Sequence, residues 1–393
     1  MRQVRQSTHA WIRNRVTTVL LTLGRLPKAL ALARACRDAG CRVLIADPFR
    51  WHLCRPSNAI ERSFRVTPPN TDREAYFEDL LAIVRREAVD VLLPVSEEAL
   101  HVAALAPRLP PGVRLFGADY STLARLHDKL SFAQLAISLG LPMPETHAAG
   151  TGEAQALSRN SAFIEKPAHS CSGIGLRIAA AGESPSAQTD GVIVQEFLEG
   201  ELFSTLSLMA QGRQIGTVVY RATVLAGTVA VCFERVDHAP AVRAWIDRFA
   251  AGFPCSGFLA FDLIVGADGV ARALECNPRA TSGVHFFDPA SLGRAILDPA
   301  AAGDIAFTER TRYQWAYSTL TEAYASIFRP GEFMRRMRQL CAARDVVWAP
   351  RDPLPFLLMT PMSWEILWPA MTTSLTLGEA TQRDIAWFGE SSR

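Results

Sequence analysis

Lysine is nearly missing from this chain. Lys28, Lys129 and Lys166 are the only three in 393 residues, against 38 arginines. Codon bias toward arginine accounts for most of that ratio. A lysine kept against the bias is a candidate for work that arginine does badly, such as setting a compact ammonium against an oxygen in a tight pocket. A strong net charge is also absent. At +2 the chain carries no global field that would draw it to nucleic acid, and no nucleic-acid partner is expected. The charge is uneven, however: residues 1–37 hold eight basic residues and no acid. The eight cysteines form no C-x-x-C pair and match no zinc or disulfide framework, so reduced thiols in a cytoplasmic protein are expected. The most apolar stretch, 353–377, has a single charge, Glu365, but prolines at 353, 355, 361 and 369 oppose a membrane-spanning helix. The basic start before "VTTVLLTLG" (16–24) has neither a long apolar run nor a small-residue cleavage site, which favours a buried first strand over a signal peptide. No repeat of 20–50 residues is visible.

What is present alternates. "VTTVLLTLG" reads as a strand, "PKALALARACRDAG" as a helix opened by Pro27 and stopped at Gly40, and "CRVLIADP" (41–48) as a strand. A helical 72–88, a strand at 89–95, the helix "EEALHVAALAPRL" and a short strand "GVRLFG" follow. Such alternation gives a parallel α/β unit over about 16–120. From 145 to 280 the strands come mostly as antiparallel pairs, an α+β pattern interrupted by one helix at 240–251. Strands 259–265 and 270–276 are joined by "GADG", a hairpin signal. Residues 306–393 hold five of the eight tryptophans. For their apolar part, packing on the rest of the chain is expected ahead of a homodimer contact or a membrane-surface patch.

Two segments carry chemistry. In "FIEKPAHSCSGIGL" (163–176) a strand delivers Lys166, and the loop after Pro167 contains Gly173 and Gly175, so backbone N–H groups can approach phosphates closely. The alternative is a hairpin loop with an exposed lysine. Asp262 lies on "FLAFDLIV", and Glu275 and Asn277 lie on one face of its hairpin partner. Carboxylate and amide oxygens are hard ligands, suited to Mg²⁺ bound together with substrate phosphates. The alternative is a solvated polar face. Arg279 follows at once, placed to neutralise charge on a transferring phosphoryl group.

In this order, with Lys129 and "VQEFLEGELFS" (194–204) between, the motifs resemble the ATP-grasp superfamily over about 16–300. The resemblance implies an N-terminal parallel α/β pre-ATP-grasp domain (16–120), then a two-lobed ATP-grasp domain (121–305, the lobes about 145–200 and 201–305). A Trp/Pro-rich C-terminal extension (306–393) would follow. It implies ATP and Mg²⁺ as cofactors. Lys129 and Lys166 would bind phosphates, and a loop with Ser170, Ser172, Gly173 and Gly175 would close over them. Glu196, Phe197 and Leu198 would meet adenine. Asp262, Glu275 and Asn277 would hold the metal, and Arg279 would meet the γ-phosphate or an acyl phosphate. The family often has a glutamate two residues after the hinge glycine, for ribose. Here Gly200 is followed by Glu201 and then Leu202, so Glu201 takes that role or ribose is held differently.

The implied activity is a ligase joining a small-molecule carboxylate to an amine, by expectation that of an amino acid. An acyl phosphate forms on the way, and ADP and phosphate are released. Thr281, Ser282 and Gly283 would line the acceptor pocket, with His285 taking the amine proton unless it is a structural histidine. Arg221 and Arg235 are candidate carboxylate binders or solvated arginines, and "FRWHLCRPS" (49–57), with Trp51, His52 and Cys54, reads as a packed loop ahead of a cap on the site. Lys28 falls in no motif, so arginine there is expected to be near neutral. A carboxylase, a kinase or a non-catalytic ATP binder remain alternatives. No biotin-carrier lysine and no phosphohistidine partner are identifiable. A dinucleotide oxidoreductase is disfavoured because the turn after the first strand reads "LGRLPKA" and not G-x-G-x-x-G.

Overall fold

Apolar runs bounded by breakers build the first sheet. The computed structural model describes residues 16–169, 175–186, 189–227, 229–373 and 375–389. Strands β1 (Thr18–Leu21), β2 (Arg42–Asp47), β3 (Arg62–Arg65), β4 (Val91–Leu93) and β5 (Arg114–Leu115) lie parallel in the order β3-β2-β1-β4-β5. β1 and β4 are buried along their length and β2 for all but its first residue, as expected for parallel strands covered on both faces. Helix α1 (Pro27–Asp38) starts with proline at its first turn, where no N–H is needed, and Gly40 leaves it at a φ of +86°. Helices α2 (Arg73–Arg86), α3 (Ala99–Leu105) and α4 (Tyr120–His127) follow. β3 is a strand that sequence patterning missed. "RSFR" is an edge strand, half-buried at best, and shows no apolar alternation.

Helix α5 (Lys129–Ser138) leads into a four-stranded antiparallel sheet in the order β6-β9-β7-β8, made of β6 (Thr146–Ala148), β7 (Phe163–Pro167), β8 (Arg177–Ala179) and β9 (Val192–Glu196). Helix α6 (Gly152–Asn160) joins β6 to β7. The third sheet has the order β14-β13-β10-β11-β12-β15-β16. Its strands are β10 (Glu201–Ala210), β11 (Arg213–Ala226), β12 (Val229–Arg235), β13 (Gly257–Val265), β14 (Ala271–Asn277), β15 (Arg312–Gln314) and β16 (Arg344–Asp345). One of its faces is sealed by α5 and α7 (Pro240–Gly252) through Phe132, Trp245, Phe249 and Phe261. The other face shares a core with the first sheet: Leu206, Leu208, Val218 and Tyr220 join Val19, Leu21, Leu30 and Ile45, and α8 (Pro289–Leu297) packs on α1.

The Trp/Pro-rich segment is packed on this frame. β15 pairs with β12, and Trp315 and Phe356 lie against the shared core. Asp352 is held by Arg34 at 2.9 Å. Helices α9 (Ala316–Ala325) and α10 (Pro330–Ala342) lie between β15 and β16. Further on, the chain returns to the first sheet. Arg25, fully buried just after β1, bridges Asp47 at 2.7 Å and Asp384 at 2.8 Å, and Trp387 packs on His101 and Tyr120.

Candidate active site

Asp128 caps α5 by accepting the Ser131 N–H at 2.7 Å, which sets Lys129 in the first helical turn with its side chain buried. Its Nζ reaches to 3.6 Å from Glu275 Oε2 on β14. Strand alternation on β7 sends Lys166 the same way, while Glu165 turns opposite to Arg177 and Ser186. Lys166 Nζ donates to Gln195 Oε1 at 2.9 Å and to the Leu274 carbonyl at 3.4 Å. Burial lowers its pKa to about 8. The Glu275 carboxylate opposes that shift and the Lys129 ammonium adds to it.

Asp262 stands directly opposite Glu275 in the β13–β14 register. Ser204 Oγ donates to Asp262 Oδ1 at 2.6 Å, and Asn277 Nδ2 lies 3.2 Å from both Asp262 Oδ2 and Glu275 Oε1. Burial and the neighbouring Glu275 raise the Asp262 pKa. Burial also pushes Glu275 up, but the ammonium groups of Lys129 and Lys166 outweigh it, and its pKa is lowered. Two half-buried carboxylates side by side, one made harder to ionise by the other, form an oxygen set that a hard divalent cation would relieve. The residues fit such an ion, with one adjustment. Asn277 turns its N–H groups to the carboxylates and its Oδ1 to Arg279 Nη2 at 3.0 Å, so ligation by Oδ1 requires the amide to turn over.

Arg279 is also held from the first sheet. Its Nη2 forms an ion pair with Glu97, just beyond β4, and Glu97 Oε2 lies 3.7 Å from His127 Nε2. Burial would raise the Glu97 pKa, but Arg279 and His127 keep it well below the usual carboxylate range, with Lys28 adding to them. Lys28 Nζ itself donates to the Ala280 carbonyl at 2.8 Å. The expectation that Lys28 is remote from the site is therefore corrected: all three lysines end on the 274–280 segment and its neighbours. The rarity of lysine was the signal for Lys28 as well. Glu97 carried none, because it reads as part of a helix start.

Other expected residues divide. Glu196 and Phe197 are anchored at the end of β9, their N–H groups bound to the carbonyls of Glu145 at 2.8 Å and Ala162 at 2.9 Å, and Leu198 follows half-buried. Glu201 is a correction. It pairs with Val265 and has the parity of Phe203, which faces the α5–α7 side, and its carboxylate is taken by Arg221. The residue with the parity of Ser204, toward Asp262, is Leu202, 58% exposed. Arg221 is thereby engaged, and Arg235 pairs with Asp237 at 2.7 Å. Ser170, Ser172 and Gly173 lie outside the described residues. Gly175 has a φ of +72°, and a Cβ there would come within 3.1 Å of Pro167.

Thr281 Oγ1 accepts from Tyr220 Oη at 3.1 Å, and Ser282 opens the 3₁₀ turn Ser282–Phe286. Gly283 serves packing: a Cβ would sit 2.6 Å from Leu206 Cβ, so the space is filled by protein and not left for substrate. His285 lies beside Phe233 and Tyr313. Burial, with Arg34 and Lys28 near, lowers its pKa to about 3, which makes it a poor proton acceptor.

Comparison with known proteins adds three findings. Residues 126–283 match the family model of the ATP-grasp domain. Among curated proteins, the carbamoyl phosphate synthase large chain of Thermus thermophilus is 27% identical over 202 residues, which is 46% of this chain and 20% of that one. The large chain of Deinococcus radiodurans is 26% identical over 249 residues, 57% of this chain and 24% of that one. The chain thus spans about a fifth to a quarter of the length of these relatives. Among solved structures, a biotin carboxylase–β-γ-ATP complex from Campylobacter jejuni superposes with a TM-score of 0.59 at 15% identity, covering 75% of this chain and 74% of the other. An N5-carboxyaminoimidazole synthetase from Staphylococcus aureus complexed with ADP gives 0.58 at 14%, covering 74% and 80%. An L-amino acid ligase from Bacillus licheniformis gives 0.56 at 16%, covering 72% and 74%. At such identities the likeness is one of fold.

Proposed function

We propose, from the premise that residues 126–283 form an ATP-grasp domain, that this chain is an ATP-dependent ligase joining a small-molecule carboxylate to an amine through an acyl phosphate. The observation that carries the reading is the convergence of Lys129 and Lys166 on the half-buried Asp262–Glu275–Asn277 set, with Arg279 at its end. ADP in one structural neighbour supports a nucleotide in the same cleft.

In this reading Lys129 and Lys166 neutralise and align the phosphates of ATP. Glu196 to Leu198 receive adenine. Leu202 occupies the ribose side, so ribose is held without a carboxylate at that position. Asp262, Glu275 and Asn277 would hold Mg²⁺, which neutralises phosphate charge when bound. A substrate carboxylate oxygen bonds to the γ-phosphorus as the bond to the β–γ bridging oxygen breaks and ADP leaves. The amine nitrogen then bonds to the acyl carbon, phosphate departs with its oxygen, and the amine loses a proton. His285 is too weak a base for that proton, and the departing phosphate is the better acceptor. Arg279, fixed by Glu97, steadies the charge that develops at the acyl phosphate. The carbamoyl phosphate synthase and biotin carboxylase likenesses favour one second reading, in which bicarbonate is the carboxylate phosphorylated.

The test mixes protein, ATP and Mg²⁺ with pools of carboxylates and amines. Release of ADP and phosphate that depends on a carboxylate–amine pair, with hydroxylamine trapping a hydroxamate, is the expected result. AMP and pyrophosphate would overturn it, and ADP release that needs bicarbonate selects the second reading.

Glu97 provides a separate check on Arg279. Glu97→Gln keeps the side chain's shape but releases the guanidinium, and a misplacement near 1 Å costs about 10²-fold. We expect kcat to fall by about 10- to 100-fold while KM for ATP moves by less than about threefold. An unchanged kcat would remove Glu97 from the positioning of Arg279.

A further inference from the structure

Beyond the cleft, one face of the molecule is rich in exposed apolar side chains. Helices α11 (Leu354–Leu357), α12 (Met359–Met362) and α13 (Trp364–Thr372) are anchored inward by Pro355, Met359 and Ile366, which are buried, and by a Trp315 Nε1 hydrogen bond to Met359 Sδ at 3.0 Å. Their outward side chains are large and apolar: Leu357 is 64% exposed, Trp368 54% and Met371 71%, and Leu354 and Trp364 are each near half. Trp364 and Trp368 pack together with ring centroids 5.8 Å apart. Trp51, from the loop after β2, joins them. Its N–H donates to Glu365 Oε1 at 2.7 Å, and an open groove of about 480 Å³ runs between Trp51, Thr360, Pro361, Met362 and Trp364. Contiguous apolar exposure of this kind marks an interaction surface.

Arginines flank it. The guanidinium carbons of Arg50 and Arg55 lie 5.4 Å and 4.9 Å from the Trp51 ring, both side chains are exposed, and exposed Arg351 borders the segment. The two acids of these segments are engaged. Glu365 takes the Trp51 N–H, and Asp352 is held by Arg34, Ser57 and Asn58.

We propose that this face seats the protein on an anionic lipid surface. Indoles and aliphatic side chains on short surface helices, ringed by arginines, match the interfacial zone, where rings bury partway and guanidinium groups meet lipid phosphates. A second copy fits worse, because a two-fold contact would need acids of the same face opposite these arginines, and Glu365 and Asp352 are already hydrogen-bonded within the chain. No described helix is long and apolar enough to cross a membrane, so the contact is peripheral. The inference is independent of the ligase reading.

The experiment is vesicle flotation of the full chain. Vesicles of phosphatidylcholine mixed with phosphatidylglycerol should carry the protein up, and phosphatidylcholine alone should do so weakly. Binding should blue-shift tryptophan emission and weaken with salt. Trp364→Ser/Trp368→Ser and Arg50→Glu/Arg55→Glu should each lower binding by more than about tenfold. Their melting temperatures and basal ADP release should stay as in the parent chain. If the tryptophan variant melts early, the charge variant alone decides. Failure of the parent chain to float, equal binding by the charge variant, or self-association abolished by these substitutions would each overturn the proposal, the last by assigning the face to a second copy.

Discussion

Glu275→Gln is expected to remove turnover, with ADP release falling by about 10³-fold or more. Glutamine keeps the volume, and its amide oxygen keeps the contact with Asn277 Nδ2. What it loses is charge. Glu275 lies 3.6 Å from Lys129 and is the carboxylate that most opposes loss of the Lys166 proton. Without it two buried ammonium groups lose one counter-charge, and a proposed metal ligand becomes neutral. The neighbour responds in a predictable direction. Glu275 raises the Asp262 pKa, so in the variant Asp262 ionises more readily, and one carboxylate remains. Mg²⁺ titration of ADP release is the measurement. The midpoint should move to higher Mg²⁺ and the plateau should collapse. Normal turnover with an unchanged midpoint would defeat the metal assignment.

How much of this was legible in sequence depended on distance along the chain. β1, α1 and β2 show in their own windows because continuous apolar runs and helical spacing are local signals. The β13–β14 hairpin shows through "GADG", but the register shift between Asp262 and Leu263 that sets Asp262 opposite Glu275 does not. β3, β15 and β16 did not show, since short edge strands are defined by the strand they join and not by their own pattern. The face of Glu201 was lost for a related reason: strand parity is certain only once the start of β10 is known. Lys28 donating to Ala280 and Glu97 pairing with Arg279 span 252 and 182 residues, and nothing local announces either contact.

Lys166→Arg should be a severe loss although it conserves charge. The lysine side chain is 7% exposed, and its Nζ fits between Gln195 Oε1 and the Leu274 carbonyl with Lys129 and Glu275 close by. A guanidinium is wider, and its donors are fixed in a plane. Forced into this space it should displace phosphates by something like 1 Å, a cost of about 10²-fold in rate. Lys28→Arg cannot serve as the inert control, because Lys28 donates to Ala280 beside Arg279. Substitution of the exposed Arg159 on α6, Arg159→Lys, is the better one and should leave the rate unchanged. Titration separates a charge effect from a shape effect. The folded-state pKa of Lys166, about 8, lies below its ordinary value, so the buried ammonium costs the free protein stability. That cost is relieved as pH rises through about 8. Phosphate binding needs the ammonium, so the sign for ATP is the reverse. Affinity is full below about 8 and falls above it, by at most tenfold per pH unit. Arginine does not titrate there, so the variant should bind ATP weakly but with no inflection near pH 8. A variant with parent-like rate, or one that keeps the inflection, would mean that Lys166 is not the group that holds the phosphates.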